Sequence, residues 1–182
     1  VPYCWGRNDY GELGVGVTTY AGLPVQASTT PLFTSLTAGS YHACGITAAG
    51  QAYCWGAGWD GRLGIGPSGG SLTPALVSGG HTFQSIGAGG SHACAVTSAG
   101  AVYCWGSNSY GQLGDGTTTS RDVPTPIPGV PGRIYKVVAS GGYHTCGATI
   151  YGGVLCWGRN DNGQLGDGST TNQPNAVQVT GL

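Results

Sequence analysis

The tripeptide Cys-Trp-Gly occurs four times, at Cys4-Trp5-Gly6, Cys54-Trp55-Gly56, Cys104-Trp105-Gly106 and Cys156-Trp157-Gly158. The steps from 4 to 54, 54 to 104 and 104 to 156 are 50, 50 and 52 residues. Nine residues after each Cys stands a Leu (Leu13, Leu63, Leu113 and Leu165), flanked by Gly11 and Gly14, Gly61 and Gly64, Gly111 and Gly114, and Gly163 and Gly166. A near-constant period of this length marks a repeat architecture, in which each unit is one supersecondary structure that buries its apolar face only by stacking on its neighbours. The period fixes shape far more firmly than chemistry.

The units read as short strands joined by glycine-rich turns. With 37 Gly in 182 residues and 40% apolar residues, the chain has material for a core, but no apolar pattern holds a 3.6-residue period, so no helix is expected. A first unit is read through Leu23-Ala27, Phe33-Ala38, His42-Thr47 and Gln51-Trp55. The second runs through Pro74-Val77, Phe83-Ala88, His92-Thr97 and Ala101-Trp105, and the third through Val123-Ile127, Ile134-Ala139, Tyr143-Thr149 and Gly153-Trp157. This division leaves an orphan last strand at Pro2-Gly6 and an orphan first strand within Asn175-Leu182. The expected fold is therefore all-β: a single repeat region over residues 1–182, with units at about 1–50, 51–100, 101–152 and a partial 153–182, and three complete four-stranded antiparallel sheets plus two orphan strands. The segment containing Pro126, Pro128 and Pro131 lengthens the third unit and reads as a stiffened loop.

Six of the seven cysteines form pairs ten residues apart: Cys44 with Cys54, Cys94 with Cys104, and Cys146 with Cys156. Each pair straddles a hairpin turn, at Ala48-Ala49-Gly50, Ser98-Ala99-Gly100 and around Tyr151-Gly152. A three-residue hairpin loop with Gly in the left-handed conformation sets the two cysteines opposite each other across the ladder, close to disulfide distance. Three intra-unit disulfides are expected, each contributing roughly 2–3 kcal/mol. Buried thiols in a reducing compartment are the competing reading, and zinc is disfavoured because no C-x2-C pair exists. Matched disulfides imply an oxidising place, extracellular or at the cell surface. Cys4 is left over: its mate would lie upstream of Val1 or on another molecule, and Val1 reads as a mature end or the start of a fragment.

The motifs Gly39-Ser40-Tyr41-His42-Ala43-Cys44 and Cys104-Trp105-Gly106-Ser107-Asn108 running on to Gly116 resemble the regulator of chromosome condensation repeat family, in a secreted, disulfide-containing variant of bacterial type. The resemblance covers essentially the whole chain. It implies a β-propeller, typically of seven four-stranded blades, a ring that three blades and two strands do not close. The founding member of that family is a nuclear guanine-nucleotide exchange factor that also binds chromatin. Those activities use loop insertions and charged face residues. Here no sizeable insertion exists and charge is sparse, so only the scaffold, used by many members for protein recognition, is carried over.

Charged residues make up 7% of the chain and the net charge is −1. The cations Arg7, Arg62, Arg121, Arg133, Lys136 and Arg159 are scattered, which argues against a nucleic-acid partner. No apolar run reaches the length of a membrane span and no signal-like segment is visible. His42, His92 and His144 recur at one place in each unit; a metal ring is conceivable, but the same structural hydrogen bond in each blade is the simpler reading, and His81 stands alone. The Asp115-Gly116, Asp167-Gly168 and Asn160-Gly163 stretches lack the alternating ligands and distal Glu of a calcium loop and read as turns. No nucleophile–base set, phosphate loop or paired carboxylate is present, so neither an enzyme nor a cofactor is expected.

The repeated tryptophans and leucines read as packing. Departures from the repeat carry more: Trp59 in Gly58-Trp59-Asp60, with Tyr10 and Tyr110 one place further along in their copies, are the candidate binding aromatics. The leading expectation is a non-catalytic extracellular module that recognises a protein or cell-surface ligand. The alternative is a subunit that self-assembles into a ring or filament through open blade edges, with Cys4 in an inter-chain bridge. An exchange factor is the third.

Overall fold

The computed structural model describes residues 2–27, 31–128 and 133–182. Its strands in chain order are β1 (Tyr3–Gly6), β2 (Ala21–Gln26), β3 (Phe33–Ala38), β4 (His42–Thr47), β5 (Ala52–Ala57), β6 (Gly70–Leu76), β7 (Phe83–Ala88), β8 (His92–Thr97), β9 (Val102–Gly106), β10 (Arg121–Pro126), β11 (Tyr135–Ser140), β12 (His144–Thr149), β13 (Val154–Gly158) and β14 (Gln173–Gln178). Among the described residues the only helical element is a 3-10 turn at Trp59–Gly61. Three four-stranded antiparallel sheets form: β3-β4-β5-β6, β7-β8-β9-β10 and β11-β12-β13-β14. A two-stranded sheet, β1-β2, precedes them. This is the blade architecture of a β-propeller.

Three blades are present as the sequence suggests, but the cut between them falls one strand later. The strand after each Cys-Trp-Gly segment returns to that segment: β6 pairs with β5, with Cys54 opposite Ala75, and β2 pairs with β1, with Cys4 opposite Val25. The two expected orphans are therefore not orphans. Pro2-Gly6 contributes β1, which pairs with β2, and the last strand is the outer member of the third blade, β14. The reason is the loop after Cys-Trp-Gly, which folds back on itself and delivers the chain to the open edge of the strand it has just left. Pro126 ends β10 and Pro128 follows it, whereas Pro131, like Val1, lies outside the described residues.

The hairpins inside each blade set the cysteines in register. Gly50, Gly100 and Gly152 adopt φ of 78°, 79° and 83°, a conformation only glycine takes without strain. Cys44 faces Cys54, Cys94 faces Cys104 and Cys146 faces Cys156, with Cα separations of 4.1, 4.1 and 4.0 Å, and all three pairs are disulfide-bonded. Cys4 is free and partly buried. Burial pushes its thiol above the ordinary value.

The core lies between blades. One cluster joins Cys54, Leu63 and Ile46 of the first blade to Phe83, Ala93 and Trp105 of the second. Another joins Val96, Val102 and Leu113 of the second to Val138, Leu155 and Trp157 of the third. The repeated Trp and Leu-Gly supply the junction. The indole N–H of Trp55 donates to Glu12 O at 2.9 Å and that of Trp105 to Arg62 O at 3.1 Å, each reaching into the preceding unit's loop. A Cβ built on Gly14, Gly64 or Gly114 would stand 2.8–2.9 Å from an atom of the next blade's indole, so the glycine after Leu is what lets the ring lie flat on the loop. At the third junction Gln112 O accepts the Thr145 hydroxyl at 3.0 Å instead, and the buried Trp157 N–H has no partner among the described residues.

Candidate functional site

In an antiparallel four-strand meander the first and third connections emerge at the same end. The turns at 39–41, 89–91 and 141–143 therefore share a face with the loops after Cys-Trp-Gly. Those loops are braced from within. Asn8, Asn108 and Asn160 are fully buried. Asn108 Nδ2 donates to Thr117 O and Thr119 O, both at 3.1 Å, and its Oδ1 accepts from Leu113 N at 2.9 Å. Asn8 and Asn160 repeat the pattern on Leu13 and Leu165. Asp115 adds a turn: its Oδ1 accepts from Thr117 N at 2.9 Å and its Oδ2 meets Arg121 at 2.7 Å. Burial alone would raise the Asp115 carboxyl, but the Thr117 and Arg121 hydrogen bonds outweigh it and hold it below the usual carboxylate range. The aspartates of these loops thus do turn chemistry.

On this braced face the structure brings Tyr10 and Trp59 together, with ring centroids 4.5 Å apart in an edge-to-face arrangement. Tyr41, not anticipated from the sequence, completes the group at 5.7 Å from Tyr10 and 6.1 Å from Trp59. Arg7 lies over the Tyr41 ring at 5.3 Å and Arg62 over Trp59 at 5.2 Å. Tyr110 belongs to a second group: it packs edge-on against Tyr143 at 5.2 Å, and Arg159 covers both rings at 5.3 and 5.6 Å. Arg7 is held by Asp9, and Arg159 by Asp161 at 2.5 Å. Trp59 is 44% exposed and Tyr143 45%.

Both groups straddle a junction, joining the Tyr of one unit's loop to the Tyr of the next unit's turn. The signal for Tyr41 and Tyr143 was in the repeat: each precedes the recurring His, where the middle copy has Ser91. Edge-to-face rings with stacked guanidinium groups give large, rigid contact area at small entropic cost, together with donors on the rim.

The recurring histidines do not all make one bond. His92 Nε2 lies 2.8 Å from Thr145 Oγ1, and since that hydroxyl donates to Gln112 O, His92 is the donor and carries its proton on Nε2. The equivalent position opposite His42 is Ala93, which has no hydroxyl, and among the described residues no side chain meets either buried His42 ring nitrogen, which leaves only the approach of the His92 backbone. Burial pushes His42 and His92 down to about 3 and lowers His144 as well, so the rings of His42 and His92 are neutral. Among the described residues no group of three or more His, Cys, Asp or Glu side chains is placed to hold a metal ion. Among them, too, no helix is long and apolar enough to cross a membrane.

Comparison with known proteins agrees with the geometry. Residues 3–46, 49–96, 99–148 and 151–182 match the model of the Regulator of chromosome condensation (RCC1) repeat. RCC1 domain-containing protein RUG3, mitochondrial, of Arabidopsis thaliana is 39% identical over 59 residues, which are 32% of this chain and 13% of that protein. Human WBSCR16 superposes with a TM-score of 0.85 at 23% identity over 97% of this chain and 46% of its own. Prp20p of Saccharomyces cerevisiae, described with its binding properties to Gsp1p and histones, gives 0.82 at 20% identity over 97% and 45%. The chain thus spans less than half of those solved chains, whose likeness speaks for the fold. With four consecutive repeat matches covering nearly every residue, the chain belongs to the Regulator of chromosome condensation (RCC1) repeat family.

Proposed function

We propose that this chain is a non-catalytic recognition module that binds another protein through the face carrying the Tyr10–Tyr41–Trp59 and Tyr110–Tyr143 groups. The observation that carries the reading is the exposure of Trp59 and Tyr143, each with an arginine stacked on it, beside Tyr10 and Tyr110, whose loops are fixed from beneath by buried Asn8 and Asn108. Trp, Tyr and Arg dominate the energetics of protein interfaces, and here they stand on a rigid support. Related scaffolds that bind Gsp1p and histones agree with a protein partner of some kind. The three disulfides support an extracellular or cell-surface setting, although one relative is a mitochondrial protein.

The test is selection of random displayed peptides on the immobilised chain, followed by affinity measurement on Trp59→Ala and Tyr143→Ala. Binders should lose about 2 kcal/mol, roughly 30-fold in Kd, on one variant or the other while thermal stability stays within about 0.5 kcal/mol. Binders that hold both variants as tightly as the parent would remove this face from consideration.

A further inference from the structure

The outer rim of the blades is uneven in one respect. β2, β6, β10 and β14 each pair on the inner side with a Cys-Trp-Gly strand, and none has a strand on its outer side among the described residues. For β2, β6 and β10 this holds although the next unit of the chain is present, so an open rim edge does not depend on how many units follow it. Part of each edge is already engaged. Gly16 N donates to Leu72 O, Gly66 N to Asp122 O and Gly116 N to Pro174 O, at 2.9, 3.0 and 2.9 Å, which uses the start of β6, β10 and β14. Just past the strands, Ser78 N donates to Gly64 O at 2.9 Å and Thr180 N to Gly166 O at 2.8 Å.

The middle of the edge is where the copies differ. Alternate residues of an antiparallel strand turn N–H and C=O toward the partner, and the residues between turn them away. Ala27 N donates to Pro2 O, Val77 N to Ala52 O, Ile127 N to Val102 O and Val179 N to Val154 O. The residues before these donors, Gln26, Leu76, Pro126 and Gln178, therefore face outward. Two places earlier stand Pro24, Pro74, Pro124 and Ala176, each just before the residue opposite the repeated cysteine. Proline has no N–H to give, and its ring carbon occupies the place of the hydrogen, so β2, β6 and β10 are closed to an added strand. β14 is not. The fold is complete in three copies that lack an N–H at this position, so the Ala176 N–H is spare. The β14 edge is also accessible, with Asn175 and Gln178 exposed and Ala176 and Val177 half-buried.

Arg133 reaches the same edge, its Nη2 donating to Gln178 Oε1 at 3.0 Å. Arg7, Arg62, Arg121 and Arg159 each meet an aspartate of their own loop, whereas Arg133 forms no ion pair among the described residues. We propose that the rim edge of β14 is a strand-addition site for an extended segment of a partner protein, free of proline and carrying a carboxylate that pairs with Arg133. Main-chain hydrogen bonds to Ala176 and Gln178 supply the attachment. Two outward residues make a short ladder, so the charge pair decides which segment is held.

The probe is a synthetic peptide, acetylated and amidated, of sequence Thr-Val-Thr-Val-Asp-Thr, titrated into the isotope-labelled chain. Amide shifts and hydrogen exchange read the contact. Shifts and slowed exchange are expected at Ala176 and Gln178, with the amides of β2, β6 and β10 unmoved. Ala176→Pro should weaken binding at least about tenfold, and the other copies show that a blade tolerates proline there. Lys in place of Asp in the peptide should weaken binding about threefold, and Arg133→Glu should reverse that preference without touching the strand. Trp59→Ala should leave the peptide bound as before, which keeps this edge separate from the aromatic face. Binding that survives Ala176→Pro, no change of preference in Arg133→Glu, protection spread evenly over the four rim edges, or a dimer of the chain holding this edge in place of the peptide would each overturn the proposal.

Discussion

Asn108 holds its loop from a fully buried side chain: its Nδ2 donates to Thr117 O and Thr119 O and also reaches Asp115 Oδ1 and Thr117 Oγ1, and its Oδ1 accepts from Leu113 N. Removing it leaves the Leu113 N–H and two carbonyls short of a partner in a site water reaches poorly. Asn108→Ala should cost roughly 2–4 kcal/mol, read as a fall in the denaturant midpoint. The second copy has Gly58 in this position, and restoring Asn would not help there. A Cβ on Gly58 would lie 2.6 Å from both Gly70 N and Ser68 O, because the loop has closed into the 3-10 turn that presents Trp59. Gly58→Asn should therefore destabilise by about 1–3 kcal/mol, against the repeat consensus. The exposure of Trp59 was legible as a break in the pattern; the tight packing beneath it was not, since a periodic sequence shows that a residue is missing but not what the backbone does in its absence. The histidines give a second prediction. The unfolded chain protonates His42 and His92 near 6.5, while burial in the fold holds them down to about 3. Between those values the unfolded state binds protons that the folded state refuses. Stability is therefore level above about pH 6.5 and falls as pH drops toward 3, by at most about 1.4 kcal/mol per pH unit for each ring. Asp115 and its like lose their contribution lower, below the ordinary carboxylate value, so the window from about pH 6.5 to about pH 4.5 belongs to histidine. Urea unfolding across that window should show the slope, and His92→Gln should reduce it even though its stability at neutral pH is lower.

At the scale of the element, the Cys-Trp-Gly strand and its returning loop form one device for joining blades. Trp105 spends its indole N–H on Arg62 O and its face on Gly64, while the same residue type at position 5 has neither support among the described residues. Trp105→Ala should cost about 3–5 kcal/mol and Trp5→Ala less than about 1 kcal/mol, a contrast thermal unfolding would resolve. Gly64→Ala should also be costly, about 2–3 kcal/mol, because its φ of +68° and the indole 2.8 Å from a would-be Cβ both exclude a side chain. The strands and the cysteine register were readable because hairpins with a terminal Gly have little choice of geometry. The grouping of strands into blades was not. A periodic sequence has no phase, and the outer strands β2, β6, β10 and β14 are partly or fully exposed at every position but Pro124, so no apolar alternation announces which neighbour they join.

For the whole molecule, the three disulfides each close within one sheet, so none ties one blade to the next. Coupling between blades rests on buried tryptophan, leucine and the cluster residues, and in an array of this sort stability is close to a sum of unit and nearest-neighbour terms. The second blade has neighbours on both sides: Ala93, Ala95 and Val96 of β8 are fully buried. Among the described residues the β1-β2 sheet meets a neighbouring blade on one side, and Trp5 is exposed. Local opening should follow that gradient. Native-state hydrogen exchange is expected to leave the β8 and β9 amides protected to near the global unfolding free energy while Cys4 and Trp5 exchange through local fraying. A destabilising change at Gly64 should then lower protection in the first and second blades together, since it loosens the face they share, and leave the β1-β2 rates nearly unmoved. Uniform loss across every sheet would mean that the array opens as one unit, and that the junctions are stronger than the blades they connect.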